Sequence, residues 1–285
     1  MRAKAYIYLF LAITLWSLIP AISKLATYSI DINIYLFYSN LLSTIAVVPF
    51  IDKKDIFNRA SVIRGAIFGF LGVYAYYLLL YNAYSLSKLA QDVIVIQYLW
   101  PTITTILAVI FLKERVSKTL LLAIFISFLA FLVNVTDGFK IVPKFENSTS
   151  ITLAFLASIS FAIYSILSKK LSSKSASNDI FYTFVFAYLY SAISLIVVKK
   201  VPIIPKDATI YMLINGLFIN GISYLFWVWA LKDIKASIAS TFVLASPIIA
   251  SFWVYLLIGE SLKFSFFVSI ILIIIASILI LKKDR

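Results

Sequence analysis

The chain has 285 residues, of which 63% are hydrophobic and only 13% are charged, about half the charged fraction of soluble proteins. The net charge of +13 comes from lysines and arginines that flank apolar segments, which indicates membrane topology rather than nucleic-acid binding. With no cysteine and no histidine, the sequence excludes disulfides, thiol nucleophiles and the commonest metal ligand. We therefore expect no cofactor, no metal site and no enzymatic activity.

Apolar blocks of the ~20 residues that a spanning helix needs recur along the chain, separated by short charged connections. They predict an all-α polytopic membrane protein. The first apolar run, from Ala5 to about Ala26, is longer than the ~7–15 residues of a signal peptide's apolar region, so we expect it to be a spanning helix. The ten predicted spans are 5–24, 33–51, 62–82, 88–111, 118–136, 150–170, 180–199, 208–231, 235–257 and 264–282.

The lysines and arginines predict the orientation of these spans. If the N-terminus lies inside, 17 of them fall on the inner side and 8 on the outer side. This bias predicts a multi-pass protein of the plasma or inner membrane with both termini in the cytoplasm. The longest connection, at about 137–149, divides the chain into two units of five spans, 1–137 and 148–285.

The two units resemble each other in sequence. Pro101 aligns with Pro247, 146 positions later, and Trp16 aligns with Phe161, 145 positions later. Because each unit has an odd number of spans, we expect the two units to lie in the membrane in opposite senses. Inverted repeats are typical of secondary transporters, whose substrate site lies near the midplane where the repeats meet.

Both prolines fall in the middle of a predicted span. A proline leaves the carbonyl four residues earlier without its helical partner. The carbonyls affected are those of Gln97 in the first unit and Val243 in the second. In a membrane such a carbonyl should face a cavity or another helix. We expect these carbonyls to accept hydrogen bonds from a substrate ammonium group, and the prolines to act as hinges.

Aromatic residues with polar ends surround these prolines, and such a surface suits a ligand with an apolar or aromatic body and a polar end. Helical spacing puts four tyrosines of the third span on one face with Tyr76 to its side; the four are Tyr74, Tyr77, Tyr81 and Tyr84. By its depth, Tyr84 is assigned instead to the interfacial belt. The second unit offers similar side chains, namely Tyr164, Asn220, Tyr224 and Trp227. The candidate substrate-binding residues are Trp16, Tyr77, Tyr81, Gln97, Tyr98, Trp100, Pro101, Tyr164, Asn220, Tyr224 and Pro247.

Charged residues at the ends of the spans have other predicted roles. Glu114 lies in the loop sequence LKERV and is predicted to anchor that loop. Lys24 and Lys169 end paired spans, and each either reaches the membrane surface or faces the bundle, where Lys24 would attract a carboxylate. Asp92 is the deepest acidic residue, so coupling through Asp92 and facilitated export down a gradient are both open.

A Pro–x12–Glu motif joins Pro101 to Glu114 and recurs from Pro247 to Glu260. With an aromatic residue and a lysine late in the first span, this pattern resembles the EamA family of the drug/metabolite transporter superfamily. The resemblance implies ten helices as two inverted repeats around a central cavity reached from alternate sides. The run Tyr98–Pro101, with two tyrosines of the preceding span, is similar to the YddG-type aromatic amino acid exporters, in which such side chains line the substrate cavity.

The sequence therefore predicts a transporter that exports small metabolites by alternating access, with aromatic or other bulky amino acids favoured. An exchanger of phosphorylated sugars or nucleotide sugars is an alternative, although such anions need a basic cavity and the deep segments hold almost no lysine or arginine. A receptor or scaffold that does not transport is another. The expected partners are the lipid bilayer and a small-molecule substrate, without nucleic acid, and ten helices with a complete repeat suffice for a monomer.

Overall fold

The computed structural model consists of helices, and the residues that it describes contain no strand. Those residues are 2–27, 30–87, 93, 96–140, 147–171, 175–203, 206–259 and 261–283. In chain order the α-helices are α1 (Arg2–Ser17), α2 (Ile19–Thr27), α3 (Ile32–Val47), α4 (Arg59–Phe68), α5 (Ala75–Leu86), α6 (Trp100–Phe111), α7 (Lys118–Val135), α8 (Ser148–Lys170), α9 (Ala176–Val197), α10 (Thr209–Leu213), α11 (Ser223–Asp233), α12 (Ala236–Val243), α13 (Ser246–Ile258) and α14 (Phe264–Lys283). Two π-helical segments and two short 3-10 helices complete the described structure: π1 (Gly69–Tyr74), π2 (Ile214–Ile222), Val48–Phe50 and Lys206–Ala208.

Eight helical stretches among the described residues are long and apolar enough to cross a bilayer. They are Ala3–Ile22, Ile32–Phe50, Arg59–Leu86, Lys118–Val135, Ser148–Lys170, Ala176–Val197, Thr209–Asp233 and Ala236–Ile258. Two shorter apolar helices are Trp100–Phe111 and Phe264–Leu279. The 12 residues of α6 extend roughly 18 Å, less than the ~30 Å of hydrocarbon. Much of the rest of the predicted span 88–111 lies outside the described residues, so the count of ten spans stays a prediction.

Polar side chains determine where four of these helices begin. Asp31 and Asn58 precede α3 and α4, and each accepts a hydrogen bond from a backbone N–H group of the first turn. Ser117 and Asn147 do the same for α7 and α8. These residue types satisfy N–H groups that have no partner within the helix, and for this reason the apolar blocks begin just after them.

Three helices restart with proline as their second residue: Pro20 in α2, Pro101 in α6 and Pro247 in α13. Proline lacks the N–H group and fixes φ, so it fits the first turn of a helix better than the interior. The first and ninth predicted spans are consequently each divided into two helices, at Leu18 and at Leu244–Ala245. The sequence identified the last two prolines as hinges but not the first.

The helices pack in the pattern that a two-fold relation between two halves produces. Helix α1 packs on α11, and α5 packs on α8, which is the same pairing with the halves exchanged. Helix α3 packs on α9, and these two are equivalent elements of the two halves. Helix α7 likewise packs on its equivalent, α14. In a two-fold arrangement every contact between unlike elements recurs with the partners exchanged. The architecture is therefore that of two repeats.

Polar side chains connect the two halves where they meet. The guanidinium of Arg64 on α4 binds Asp179 on α9 through Nη2–Oδ1 and Nε–Oδ2 contacts of 2.9 and 3.1 Å. Deeper in the bundle, Asn40 Nδ2 on α3 donates to Ser191 Oγ on α9 at 2.9 Å. Hydrogen bonds between helices matter in lipid because apolar packing there gains nothing from the exclusion of water.

The segments π1 and π2 begin 145 positions apart, at equivalent places in the two repeats. A π-helical turn closes its hydrogen bond one residue later than an α-helical turn, so the side chains that follow it are rotated around the helix axis. The carbonyls of Leu71 and Gly216, also 145 positions apart, accept from Ser160 Oγ at 2.7 Å and from Ser43 Oγ at 2.8 Å. These contacts satisfy backbone groups that lipid cannot.

Candidate functional site

Six aromatic side chains from α1, α6, α8 and α11 pack together inside the bundle. They are Trp16, Trp100, Phe161, Tyr164, Tyr224 and Trp227, here called the aromatic cluster. None is more than 6% exposed. Both repeats contribute to the cluster, and four of its members are candidates from the sequence. The other two are Trp227, which the sequence offered beside the second-unit candidates, and Phe161, which it aligned with Trp16; they lie on the same helices as those candidates.

Trp16 lies in the middle of the aromatic cluster. Its ring centroid is 5.2 Å from that of Trp227, 5.7 Å from Phe161, 5.9 Å from Tyr224 and 6.3 Å from Trp100. All but the tilted contact with Trp227 are edge-to-face. These distances and angles are those that aromatic quadrupoles favour, so the rings form a continuous apolar surface with polar groups at its edges.

The aromatic cluster lies where the two repeats meet. Trp16 and Phe161 occupy aligned positions of the repeats, and their rings touch. Two equivalent positions can touch only close to the axis that relates them. The sequence alignment of these two residues was therefore a usable signal for the site, because it joined two aromatic residues that meet at its centre.

Tyrosines of α5 extend the aromatic surface to one side. Tyr76 packs on Phe161 at 4.8 Å and on Tyr77 at 4.7 Å, and Tyr77 packs on Tyr81 at 5.5 Å. Tyr74, in contrast, packs on Tyr190 at 5.7 Å at the outer side of α9. The expectation that Tyr74 shares the face and Tyr76 lies beside it was wrong, because π1 changes the register that α-helical spacing assumes.

Gln97 binds protein groups through both ends of its amide. Its Oε1 accepts from Tyr84 OH and its Nε2 donates to Tyr76 OH, both at 2.9 Å. Its backbone carbonyl, which Pro101 leaves without a helical donor, accepts from Ser158 Oγ at 2.8 Å. This carbonyl thus faces another helix rather than an open cavity. Tyr84, which is half-buried in the last turn of α5, joins this network through its hydroxyl, and its place in the interfacial belt stays a prediction.

Tyr98 lies outside the aromatic cluster, beside the breaks of the fourth and ninth spans. Its ring packs on Phe131 at 5.4 Å, and its hydroxyl donates to Ser246 Oγ at 3.3 Å. Pro101 and Pro247 are buried at the starts of α6 and α13. These residues hold the two helix breaks together, one from each repeat.

Several buried polar atoms around the aromatic cluster have no hydrogen-bond partner among the described residues. They include Nε1 of Trp16 and Trp227, the hydroxyl of Tyr164 and the hydroxyl of Thr104. The amide of Asn220, one helical turn before Tyr224, has no partner at either of its atoms. A buried polar group without a partner costs ~1–3 kcal/mol. Together these groups offer a ligand indole and amide donors, two hydroxyls that can donate or accept, and one amide oxygen that accepts.

The structure places only some of the charged candidates. The carboxylate of Glu114 accepts from two backbone N–H groups at the start of α12, at 2.9 and 3.1 Å, as its predicted anchoring role requires. Lys169 Nζ donates to backbone carbonyls at the end of α11, not into the aromatic cluster. The side chain of Lys24, and the residues Asp92 and Glu260, lie outside the described part of the chain.

A groove of about 340 Å³ lies elsewhere, where α4 and π1 face α9. It includes no member of the aromatic cluster. Its lining residues are Ala66, Ile67, Phe70, Leu71 and Tyr190. The rings of the aromatic cluster are in mutual contact, so a ligand there would need the helices that carry them to separate.

A helical bundle of two repeats with a candidate site where the repeats meet is typical of secondary transporters. The EamA-like transporter family matches the chain twice, over residues 3–136 and 148–282. The chain therefore belongs to this family of multi-pass membrane transporters.

Individual relatives agree with this assignment. A protein of Archaeoglobus fulgidus, described as an uncharacterized transporter, is 28% identical over 278 residues, which are 91% of this chain and 92% of the relative. An uncharacterized transporter of Clostridium kluyveri is 26% identical over 59% of this chain and 56% of its own length. The uncharacterized transporter YyaM of Bacillus subtilis is 24% identical over 67% of this chain and 64% of its own.

The chain thus spans less than two thirds of the length of two of these relatives. A solved crystal structure superposes with a TM-score of 0.82 and 14% identity, covering 98% of this chain and 97% of the other. At that identity the likeness shows the fold alone.

Proposed function

We propose that the chain exports small metabolites that have an aromatic or bulky apolar body and a polar end, with aromatic amino acids as the favoured substrates. The aromatic cluster and Asn220 form the proposed substrate site, which Tyr77 and Tyr81 border. Gln97, Tyr98, Pro101 and Pro247 shape the site through the helix breaks. The similarity of the fourth span to the YddG-type exporters supports the same substrate class.

One observation carries this proposal: buried aromatic rings from both repeats surround hydrogen-bond donors that have no partner among the described residues. Rings of this size stack on an aromatic or bulky side chain. Indole and phenol donors suit a carboxylate, and the amide of Asn220 suits either an ammonium or a carboxylate. An aromatic amino acid combines these groups in one molecule.

The proposed mechanism is alternating access between two repeats that lie in opposite senses, divided as residues 1–137 and 148–285. The proposed orientation has both termini in the cytoplasm, which the distribution of lysine and arginine supports. Transporters of this family typically sit in the cell membrane. The direction of net transport would then be outward, driven by the gradient of the substrate itself or by coupling through Asp92.

The principal competing function is the exchange of phosphorylated sugars or nucleotide sugars. These substrates carry two negative charges at neutral pH, which a site inside a membrane must neutralise with lysine or arginine. None of the six members of the aromatic cluster is charged, and Lys169 binds backbone carbonyls instead. This composition favours a substrate with little net charge.

Counterflow in liposomes tests the proposal directly. Vesicles that hold the purified protein are loaded with unlabelled phenylalanine or tryptophan, and the uptake of the labelled amino acid is followed. Trp100→Ala removes a ring from the aromatic cluster, and Trp229→Ala removes one that packs outside it on Tyr8 and Phe50. Loss of one ring contact of ~1.4 kcal/mol predicts uptake about tenfold slower for Trp100→Ala at low substrate concentration, and uptake unchanged for Trp229→Ala.

Two further arms separate the competing functions. Hexose phosphate replaces the amino acid in one arm, and uptake of that substrate alone would favour an anion exchanger. In the other arm, amino acid binding is measured by calorimetry on the purified protein. Binding without any flux would indicate a receptor, and neither binding nor flux with any of these compounds would refute the proposed substrate class.

A further inference from the structure

Two charged side chains bind the short turn between α11 and α12. The carboxylate of Glu114 accepts from the N–H groups of Ala236 and Ser237, at 2.9 and 3.1 Å, and from Ser237 Oγ at 2.6 Å. The ammonium of Lys169 donates to the carbonyls of Leu231, at 2.7 Å, and of Ile234. We call these two side chains the charge clamp.

Each charge of the clamp matches the helix end that it binds. Free N–H groups give the start of α12 a partial positive charge, which suits the carboxylate of Glu114. Free carbonyls give the end of α11 a partial negative charge, which suits the ammonium of Lys169. The turn at Ile234–Lys235 is thereby held from two sides, by a residue of the first repeat and a residue of the second.

The charge clamp joins three of the four helices that carry the aromatic cluster, namely α6, α8 and α11, to the start of α12. Trp100 begins α6, and Glu114 follows the end of that helix, where its N–H group donates to the Ala108 carbonyl at 3.2 Å. This bond ties Glu114 to α6. On α8, Phe161 precedes Lys169 by eight residues, roughly 12 Å of helix, and α11 carries cluster residues before its clamped end. Closing the clamp therefore draws these helices together on one side of the cluster.

Two of the clamped elements also have a break at their other end. Helix α6 starts at the break before Pro101, and α12 stops at the break before Pro247. Between break and clamp the two helices pack on each other through a 3.0 Å contact of Thr105 Oγ1 with Ser240 Oγ. A helix with a hinge at one end and a charged contact at the other can rotate about the hinge when the charged contact breaks.

The surroundings of Glu114 and Lys169 allow these side chains to separate from the turn. Both charged side chains are only partly buried, so water can solvate them once they part from the turn, which limits the cost of opening. Apart from the Ser237 hydroxyl that donates to Glu114, both bind backbone groups of the turn, so opening breaks a single contact between side chains. All of these residues lie at the end of the bundle that the charge distribution predicts to be cytoplasmic.

We propose that Glu114 and Lys169 form a releasable gate, which closes the cytoplasmic end of the pathway to the aromatic cluster while the turn between α11 and α12 is held. This inference rests on the proposed transport function for its role. The gate itself is a statement about conformation, and it is tested without any substrate.

Cysteine reactivity reports the opening of the gate, because the chain contains no cysteine of its own. Ser240→Cys places a nearly isosteric thiol at a buried position between α6 and α12. The rate of its reaction with N-ethylmaleimide is measured in protein reconstituted in liposomes. Adding Glu114→Ala or Lys169→Met should raise this rate about tenfold, the population shift expected when a charge-assisted hydrogen bond is lost.

Two controls separate opening from general loosening. Lys170→Met removes the neighbouring exposed lysine, which lies over the Phe111 ring at 5.9 Å, and should leave the rate unchanged. Ser150→Cys, at the buried start of α8, reports the opposite end of the bundle and should not become more reactive in the clamp variants. Faster reaction at both reporters, or at neither, would overturn the gate.

The transport measurement is independent of this outcome. If the clamp variants expose Ser240→Cys but no tested substrate is ever transported, the gate stands and the proposed substrate class fails. If wild type transports aromatic amino acids and the clamp variants leave Ser240→Cys protected, the proposed function stands and the gate fails.

Discussion

Two neighbouring tyrosines of the aromatic cluster use their hydroxyl groups differently. Tyr224 OH donates to the carbonyl of Gly72 at 2.7 Å, whereas Tyr164 OH has no partner among the described residues. The two rings lie 5.8 Å apart, and both side chains are fully buried. The pair therefore separates a hydroxyl that stabilises the fold from one that is available to a ligand in the proposed substrate site.

Removal of each hydroxyl should have a distinct result. Tyr224→Phe loses a hydrogen bond and leaves the Gly72 carbonyl without it, so the free energy of unfolding should fall by ~1 kcal/mol. Tyr164→Phe removes a buried hydroxyl with no partner, so stability should stay equal or rise while the KM for transport increases. Thermal melting in detergent and counterflow kinetics measure the two effects. A stability loss in Tyr164→Phe as large as that in Tyr224→Phe would contradict this assignment.

At the scale of single residues, the sequence predicted the chemical role of a side chain better than it predicted which groups the side chain binds. The anchoring role of Glu114 was predicted correctly, because a carboxylate among charges at a helix end has few other uses. Gln97 was expected to face substrate, but its amide binds Tyr76 and Tyr84. That engagement depends on the tyrosine register after π1, and Ser158 reaches the Gln97 carbonyl from a helix 61 positions away. Neither fact is contained in local spacing.

Among the helices, π1 and π2 change the reading of the sequence most. Apolar periodicity assumes 3.6 residues per turn. A π-helical segment departs from this value, but inside an apolar span the departure causes no visible break in the pattern of apolar residues. The glycines of π1 could have signalled it, since glycine in a membrane helix permits a close approach of another group. Proline breaks, in contrast, follow from the residue itself, and so α6 and α13 begin at the two prolines that the sequence identified as hinges.

Gly72 in π1 shows why this close approach is needed. A Cβ atom at this position would overlap the ring of Tyr164. Gly72→Ala should therefore lower the melting temperature in detergent more than a glycine-to-alanine change in an ordinary helix, where alanine is favoured. The effect should be smaller when Tyr164→Ala is already present, because the ring that the methyl group meets is gone.

The double-mutant comparison decides the cause. If Gly72→Ala costs the same stability with and without the Tyr164 ring, the glycine is required by the π-helical backbone and not by the contact. If Gly72→Ala is neutral in both backgrounds, neither the contact nor the backbone requires glycine there, and the packing described at π1 is not important for stability.

On the scale of the whole molecule, the distribution of positive charge makes an experimental prediction. Lys118 lies on the predicted cytoplasmic side and Lys200 on the outer side, and both are exposed. In intact cells, Lys200→Cys should react with a membrane-impermeant maleimide and Lys118→Cys should react only after the membrane is opened. The reverse pattern would invert the orientation and move the charge clamp to the outer end.

The fold as a whole was the most predictable feature of the chain. Long apolar blocks, charged connections and the recurrence of Pro101 and Pro247 were sufficient to infer two repeats. The break at Leu18 was not predicted, because Pro20 has no aligned proline in the second repeat, where Ser165 stands. Comparison of the two repeats revealed the features that they share but not those that only one of them has.

The contact between Trp16 and Phe161 has a further consequence for how such a protein diverges. In a dimer of two identical five-helix chains, a residue on the axis would meet its own copy, and any mutation would alter both sides of the contact at once. Fusion of two gene copies into one chain removes this constraint. Here one position presents an indole N–H group and the other a plain benzene ring, so two repeats of the same fold meet at a contact whose two sides differ in chemistry.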